Sequence, residues 1–228
     1  MKLSSLALAI LGMVVLAFVR VCSGEQTSTD YLSPLDRVDE KITRYQDFLT
    51  AKLGITPFDC GRVVDEPSFE PESIISVYSQ MQNGRHAFYV TSVKAAANLW
   101  QRSKSMRAIA QAQAVDIKRV DAEIPQTVAE HIRQVWLRMV RERHPWERPR
   151  LEFELGGYLR FSIQQLDGPP LEAELWLPPR GPKTRALVKI SDALWEYCKA
   201  APANRPAIAN EIDREATRLL EQLRCGKE

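Results

Sequence analysis

Residues 73–95 read Ser-Ile-Ile-Ser-Val-Tyr-Ser-Gln-Met-Gln-Asn-Gly-Arg-His-Ala-Phe-Tyr-Val-Thr-Ser-Val-Lys-Ala, two β-rich runs joined by Asn83-Gly84. Asn-Gly supplies the two positive φ angles that a two-residue hairpin turn requires, and alternating apolar residues flank it. With those two residues as the turn, Val77 faces Val90 and Tyr78 faces Tyr89. Ile75, Val77, Met81, Phe88 and Val90 then share one face, and Ile74, Tyr78, Tyr89 and Val93 share the other with Ser76 and Thr91. Apolar residues on both faces place this hairpin inside a sheet that is covered on both sides.

Working outward, Ser33-Pro34-Leu35-Asp36 reads as a helix start, with Ser33 at the N-cap and Pro34 at the first helical position. Leu35, Val38, Ile42, Tyr45, Leu49 and Leu53 form its apolar stripe, and Gly54 ends it. Arg62-Val63-Val64 suggests a strand, followed by a loop carrying Asp65, Glu66, Glu70 and Glu72. After a short helical connection at Asn98-Leu99-Trp100, residues 115–124 read as a strand. Pro125 then opens a helix to about Arg143, striped by Val128, Ile132, Val135, Trp136, Met139 and Val140 and stopped by His144-Pro145.

A second hairpin is expected over residues 151–165, in a register that pairs Phe153 with Phe161 and Leu155 with Leu159. Residues 171–177 follow as a strand with Ala173 and Leu175 inward, and residues 183–199 and 206–223 follow as helices. Hairpins followed by helices, without repeating βα units, predict an α+β fold: a mainly antiparallel sheet packed with about four helices. The expected organisation is a signal peptide over 1–24, a linker over 25–32, a single α+β domain over 33–223 and a tail over 224–228.

The leader rests on Lys2, an apolar run over residues 6–19, Arg20 and the small residues Ser23 and Gly24. About fourteen apolar residues suit a signal-peptide core, whereas a membrane span needs about twenty. A retained anchor is the alternative. Lipidation at Cys22 fits less well, because Arg20-Val21 precede it in place of a small residue. The expected location is periplasmic or extracellular. Lys2 and Arg20 are the only charges before Glu25, so the chain's 31 basic and 29 acidic residues leave 29 of each sign after cleavage. A balanced charge offers nothing that attracts nucleic acid, and membrane contact is expected only through a retained leader.

Export also shapes the cysteine reading, since Cys60, Cys198 and Cys225 would meet an oxidising compartment. Cys198 and Cys225 close consecutive helices expected to be antiparallel, which puts them about 25 Å apart, against the roughly 7 Å limit between Cα atoms of a disulfide. The expected bridge is therefore Cys60–Cys198.

Catalytic and metal signatures are sparse. His86, His131 and His144 share no ligand spacing with one another or with a cysteine, and no phosphate-binding glycine loop or G-x-S-x-G elbow occurs. No cofactor is expected. Cys60, in Asp59-Cys60-Gly61-Arg62, is the most plausible nucleophile by type if Arg62 favours its thiolate. The acidic residues after Val64 read as a solvated loop, and Glu152 and Glu154 as an exposed strand face. One basic bias stands out, Arg133, Arg138, Arg141 and Arg143 with Arg148 and Arg150, a candidate patch for an anion or an acidic partner. These features predict an exported, non-enzymatic binding or structural protein, with another envelope protein as the candidate partner. The alternative is an exported hydrolase whose site is assembled from distant acidic residues.

Overall fold

The computed structural model describes residues 30–35, 40–54, 57–102, 114–144 and 157–225. In chain order its elements are β1 (Ser33–Pro34), α1 (Glu40–Leu53), β2 (Gly61–Glu66), β3 (Ser73–Gln82), β4 (Arg85–Ala95), β5 (Ile117–Ile124), α2 (Gln126–Arg141), β6 (Tyr158–Ile163), β7 (Leu171–Trp176), α3 (Pro182–Lys199) and α4 (Arg205–Cys225). Single helical turns lie at Leu99–Arg102 and Pro202–Asn204. The strands form one antiparallel sheet in the order β1-β7-β6-β2-β3-β4-β5, giving the α+β fold.

The β3–β4 hairpin has the register its turn dictates. Asn83 and Gly84 take φ of 52° and 76°, and Val77 lies opposite Val90 and Tyr78 opposite Tyr89. Met81 departs from the expected inward face: it lies past the covered part of the strand and is exposed.

The first face of the sheet carries the main core. Val63, Ile75, Val77, Val90, Phe161 and Ala173 meet the buried stripe of α2, including Trp136 and Met139, and that of α3, including Leu187, Ile190 and Leu194. Ile212, Ala216, Leu219 and Leu223 bring α4 into the same cluster. On the second face, Tyr45, Leu49 and Leu53 of α1 pack on Val64, Ile74 and Val93, together with Leu99.

Three expectations change. Ser33 and Pro34 do not start a helix; they pair with Glu174 and Ala173 of β7 as a short edge strand. Pro is tolerated there because an edge strand leaves one side free of ladder bonds. Residues at the end of the expected linker belong to the fold: Leu32 is fully buried, and the Asp30 carboxylate accepts from Lys183 N at 3.0 Å, capping α3. The expected 151–155 strand lies outside the described residues, and β6 has β2 on one side and β7 on the other, so both its edges are occupied.

One end of the sheet gathers the β3–β4 and β6–β7 hairpins, the start of β2 and the finish of β5. α3 runs from Asp30 at the opposite end to this hairpin end, about 27 Å at 1.5 Å per residue over its 18 residues. Its last turn arrives beside β5, where the Tyr197 hydroxyl donates to Glu123 O at 2.6 Å.

Candidate functional site: a groove at the hairpin end

A groove of about 600 Å³ opens where β4 begins, β5 passes into α2, and α3 passes into α4. Its apolar lining includes Phe88, Ile124 and Tyr197, with Pro125, Pro202 and Pro206. His86, Glu123, Gln126, Arg205 and Asn210 supply polar groups. Four of these five are exposed and Arg205 is half-buried.

Local sequence explains the walls. Pro125 sits ahead of α2 and cannot continue the β5 ladder, and Ala-Pro-Ala-Asn before Arg205 forces the α3–α4 turn. Arg205 Nε donates to Ala200 O at 3.2 Å, and its guanidinium lies 5.8 Å from the centre of the Tyr197 ring. Burial raises the Tyr197 phenol above its ordinary value, with Arg205 opposing the shift. At neutral pH this phenol is a neutral donor. Among the described residues the groove lining contains no serine, threonine or cysteine.

The second face of the sheet holds a different polar constellation. Glu172, Ser162, Arg62, Ser76, Thr91 and Asp121 lie opposite one another in turn across six strands. Ser162 Oγ donates to Glu172 Oε1 at 3.2 Å, Arg62 Nε donates to Ser76 Oγ at 3.3 Å, and Thr91 donates to Asp121. Arg62 also donates to Gly54 O at 2.8 Å and stacks 3.9 Å from the Phe58 ring centre. Burial lowers its pKa to about 10, with Arg160 adding to the effect.

In the adjoining row Arg160 faces Glu174 and donates from Nη2 to Thr50 Oγ1 at 3.3 Å. Its Nε lies 3.5 Å from Glu66 Oε1, and these two buried atoms make no hydrogen bond. Burial pushes the Glu66 carboxyl up to about 7; Arg160 opposes this, and Glu174 and Glu72 reinforce it. On the helix-covered face, burial raises Asp65 to about 6.

Glu72 is fully buried, accepting from Tyr45 and from the backbone N–H groups of Leu99 at 2.6 Å and Trp100 at 2.8 Å. The acidic residues after Val64 are therefore not simply a solvated loop. Asp65 and Glu66 end β2, and Glu72 clamps α1 to the Leu99–Arg102 turn. Glu152 and Glu154 lie outside the described residues.

The Cys60–Cys198 bridge is absent; both thiols are free and buried. Cys60 N donates across to Val77 O on β3, whereas Cys198 Sγ approaches Val90 O on β4 at 3.8 Å. β2 and β4 flank β3, about two strand spacings or 9.5 Å apart, and Cys198 belongs to the helical layer above. That exceeds disulfide reach.

Burial pushes each thiol up to about 12, so Cys60 is not an activated nucleophile. Arg62 projects to the opposite face from Cys60. The Asp59-Cys60-Gly61-Arg62 motif is accounted for by packing: Asp59 accepts from Ser79 N at 2.9 Å, and Gly61, at φ 135°, leaves room for Trp136. A Cβ on Gly61 would stand 2.2 Å from Trp136 Cε3.

The arginine patch is dispersed. Arg133 and Arg141 are exposed, Arg138 Nη1 reaches Leu220 O of α4 at 3.5 Å, and Arg143 Nη1 donates to Val140 O at 3.0 Å. Arg148 and Arg150 lie outside the described residues. His131 lies in the α2–α4 seam, with Nδ1 2.8 Å from Asp213 Oδ1. His86 reaches the groove, while His144 packs its ring edge on Tyr31. Among the described residues no cluster of three or more histidine, cysteine or carboxylate side chains is placed to hold a metal ion, and no helix is long and apolar enough to cross a membrane.

No protein-family model, curated protein or solved structure matches the chain. Of the groove's polar residues, the sequence reading named only His86, as one of three histidines without a shared ligand spacing. Pro125 and the 200–205 connection were legible as boundaries, but their convergence depends on α3 returning to the end of β5.

Proposed function

We propose that the protein is exported and acts by binding a segment of another envelope protein in the hairpin-end groove. The groove's mixed lining carries this reading. Glu123 and Arg205 balance in sign, His86, Gln126 and Asn210 offer hydrogen-bond donors and acceptors, and Phe88, Ile124 and the prolines supply apolar contact. That combination suits a neutral polypeptide segment better than a polyanion, which needs a concentration of positive charge.

A photo-crosslinking residue placed at Asn210, with Gln164 outside the groove as the control position, tests this in envelope-expressed protein. The reading expects one adduct of defined mass from Asn210, absent from Gln164 and lost when Gln126→Trp, at an exposed lining position, fills the groove. Equal adducts from both positions, or none from Asn210, overturn it. Mass measurement of the exported chain tests the leader, with a start at Gly24 or Glu25 expected.

The hydrolase reading draws on Glu66, whose carboxyl titrates near neutrality beside Arg160. Its side chain is 11% exposed and belongs to the buried second face, whereas the groove opens at the hairpin end, which leaves binding as the better-supported function.

A further inference from the structure

β5 is an edge of the sheet: no described strand pairs with its outer side. It runs for eight residues, Ile117–Ile124, and from Ile117 to Glu123 every residue except Val120 and Ala122 is exposed. The other edge, β1, is only two residues long. A long exposed edge of this kind presents backbone donors and acceptors ready for another strand.

Two hydrogen bonds establish which groups point outward. Ala96 N donates to Asp116 O at 2.9 Å, and this pairing direction alternates along the ladder. Ile117, Arg119, Asp121 and Glu123 therefore direct their N–H and C=O groups away from β4. The Glu123 carbonyl agrees, since it accepts from Tyr197 instead of from β4. The outward groups of Arg119 and Asp121 occupy the middle of the edge.

Symmetry then selects one register. Antiparallel pairing of two identical edges must match outward residues with outward residues, so the two-fold axis passes through a residue. An axis at Arg119 sets arginine against arginine, and one at Asp121 sets aspartate against aspartate. An axis at Ala122 opposes Asp121 to Glu123, and one at Lys118 leaves the C-terminal half of the strand unmatched. An axis at Val120 places Arg119 opposite Asp121 twice, overlaps residues 117–123 with the Glu123 carbonyl shared between the partner strand and the Tyr197 hydroxyl, and brings the two Val120 side chains together at a closely spaced pair. Arg119 and Asp121 are about 40% exposed and already form a 2.9 Å ion pair along the strand, so the symmetric arrangement joins two such pairs into a four-charge array.

We infer that a second copy of this chain docks on β5, edge to edge, with the two-fold axis at Val120, making one continuous fourteen-stranded sheet. Charge self-complementarity separates this register from the one at Asp121, which overlaps as many residues, and selects a second copy over an unrelated strand. The β5 strands run in opposite directions, so the two grooves lie at opposite ends of the dimer. The inference is independent of what the grooves bind.

The test is sedimentation equilibrium on protein purified after full-length expression. The unaltered chain is expected to be dimeric, and Arg119→Asp and Asp121→Arg are each expected to weaken dimerisation by at least about tenfold, because like charges meet twice across the interface. Equimolar mixing of the two single variants, or combining both substitutions in one chain, is expected to restore the dimer. Val120→Cys supplies a readout independent of the charge variants' folding, forming a disulfide with its own copy under oxidising conditions. A monomeric parent overturns the inference. So does a dimer that survives both single charge reversals, or one in which Val120→Cys does not cross-link.

Discussion

Both faces of the sheet are buried, but the first meets an almost wholly apolar layer, whereas the second sets rows of charged and hydroxyl side chains beside its smaller apolar cluster. Against α2 and α3, Val63, Phe161, Ala173 and Ile75 are at or near zero exposure, and their partners are apolar. Against the α1 side, Arg62, Arg160, Ser76, Thr91 and Ser162 are all 5% exposed or less. Burial alone therefore does not distinguish an apolar core from an ionic layer; what differs is the cost of disturbing each. An apolar contact loses area and leaves a cavity, with little dependence on pH. Breaking a buried ion pair strands a charge, and the penalty disappears when that charge is titrated away.

The largest effect is expected on the apolar face. Trp136→Ala removes a fully buried indole that packs edge-on against Phe161 and should cost about 3–5 kcal/mol in urea unfolding, equally at pH 5 and pH 8. A pH-dependent loss would break the comparison.

On the ionic face, Arg160→Met leaves Glu66 without its guanidinium. Loss of about 3 kcal/mol is expected at pH 8, largely recovered at pH 5, where Glu66 is protonated. Equal losses at both pH values would mean that Arg160 contributes mainly by packing.

A smaller effect isolates the carboxyl. Because the folded-state pKa of Glu66 is raised to about 7 from 4.5, the native state holds its proton more tightly than the unfolded chain does. The associated stability is present below pH 4.5 and lost as pH rises through 7. Glu66→Gln should therefore flatten the fall in unfolding free energy between pH 4.5 and 7, measured by urea titration at stepped pH. Asp65→Asn should flatten it only below about pH 6. A steeper fall in either variant contradicts the assignment.

The smallest effect belongs to the dispersed patch. Arg133→Ala is expected to change stability by no more than about 0.5 kcal/mol, because the side chain is exposed on α2. A larger loss would show that Arg133 makes a tertiary contact, as Arg138 does with the Leu220 carbonyl.

The helices and the central hairpin were legible because each carries its own local signal. Asn83-Gly84 specifies turn and register together, and the stripe from Val128 to Val140 identifies a buried helix face before any partner is known. Ser33-Pro34 shows where local rules mislead: its capping pattern is real, but pairing with β7 prevails. The arginines at 62 and 160 were harder still. Alternation puts them on a face the sequence reading expected to be covered, but only α1 folding back, with Thr50 and the Gly54 carbonyl as acceptors, shows what buries them.

The candidate site was the least legible part. His86, Glu123, Gln126, Arg205 and Asn210 span more than half the chain without a common motif, and they converge only because α3 returns to the end of β5. The cysteines teach the same lesson in reverse. Compartment chemistry suggested a bridge, but separation across the sheet leaves Cys60 and Cys198 apart.

By itself, then, the sequence determined the α+β class, the hairpin register and the inward stripes of the helices, since periodicity and turn chemistry act over a few residues. Tertiary structure alone decided strand order, which polar side chains are buried, which cysteines stay free and where the groove opens. Each of these depends on which distant backbone segments become neighbours, and local propensity does not encode that distance.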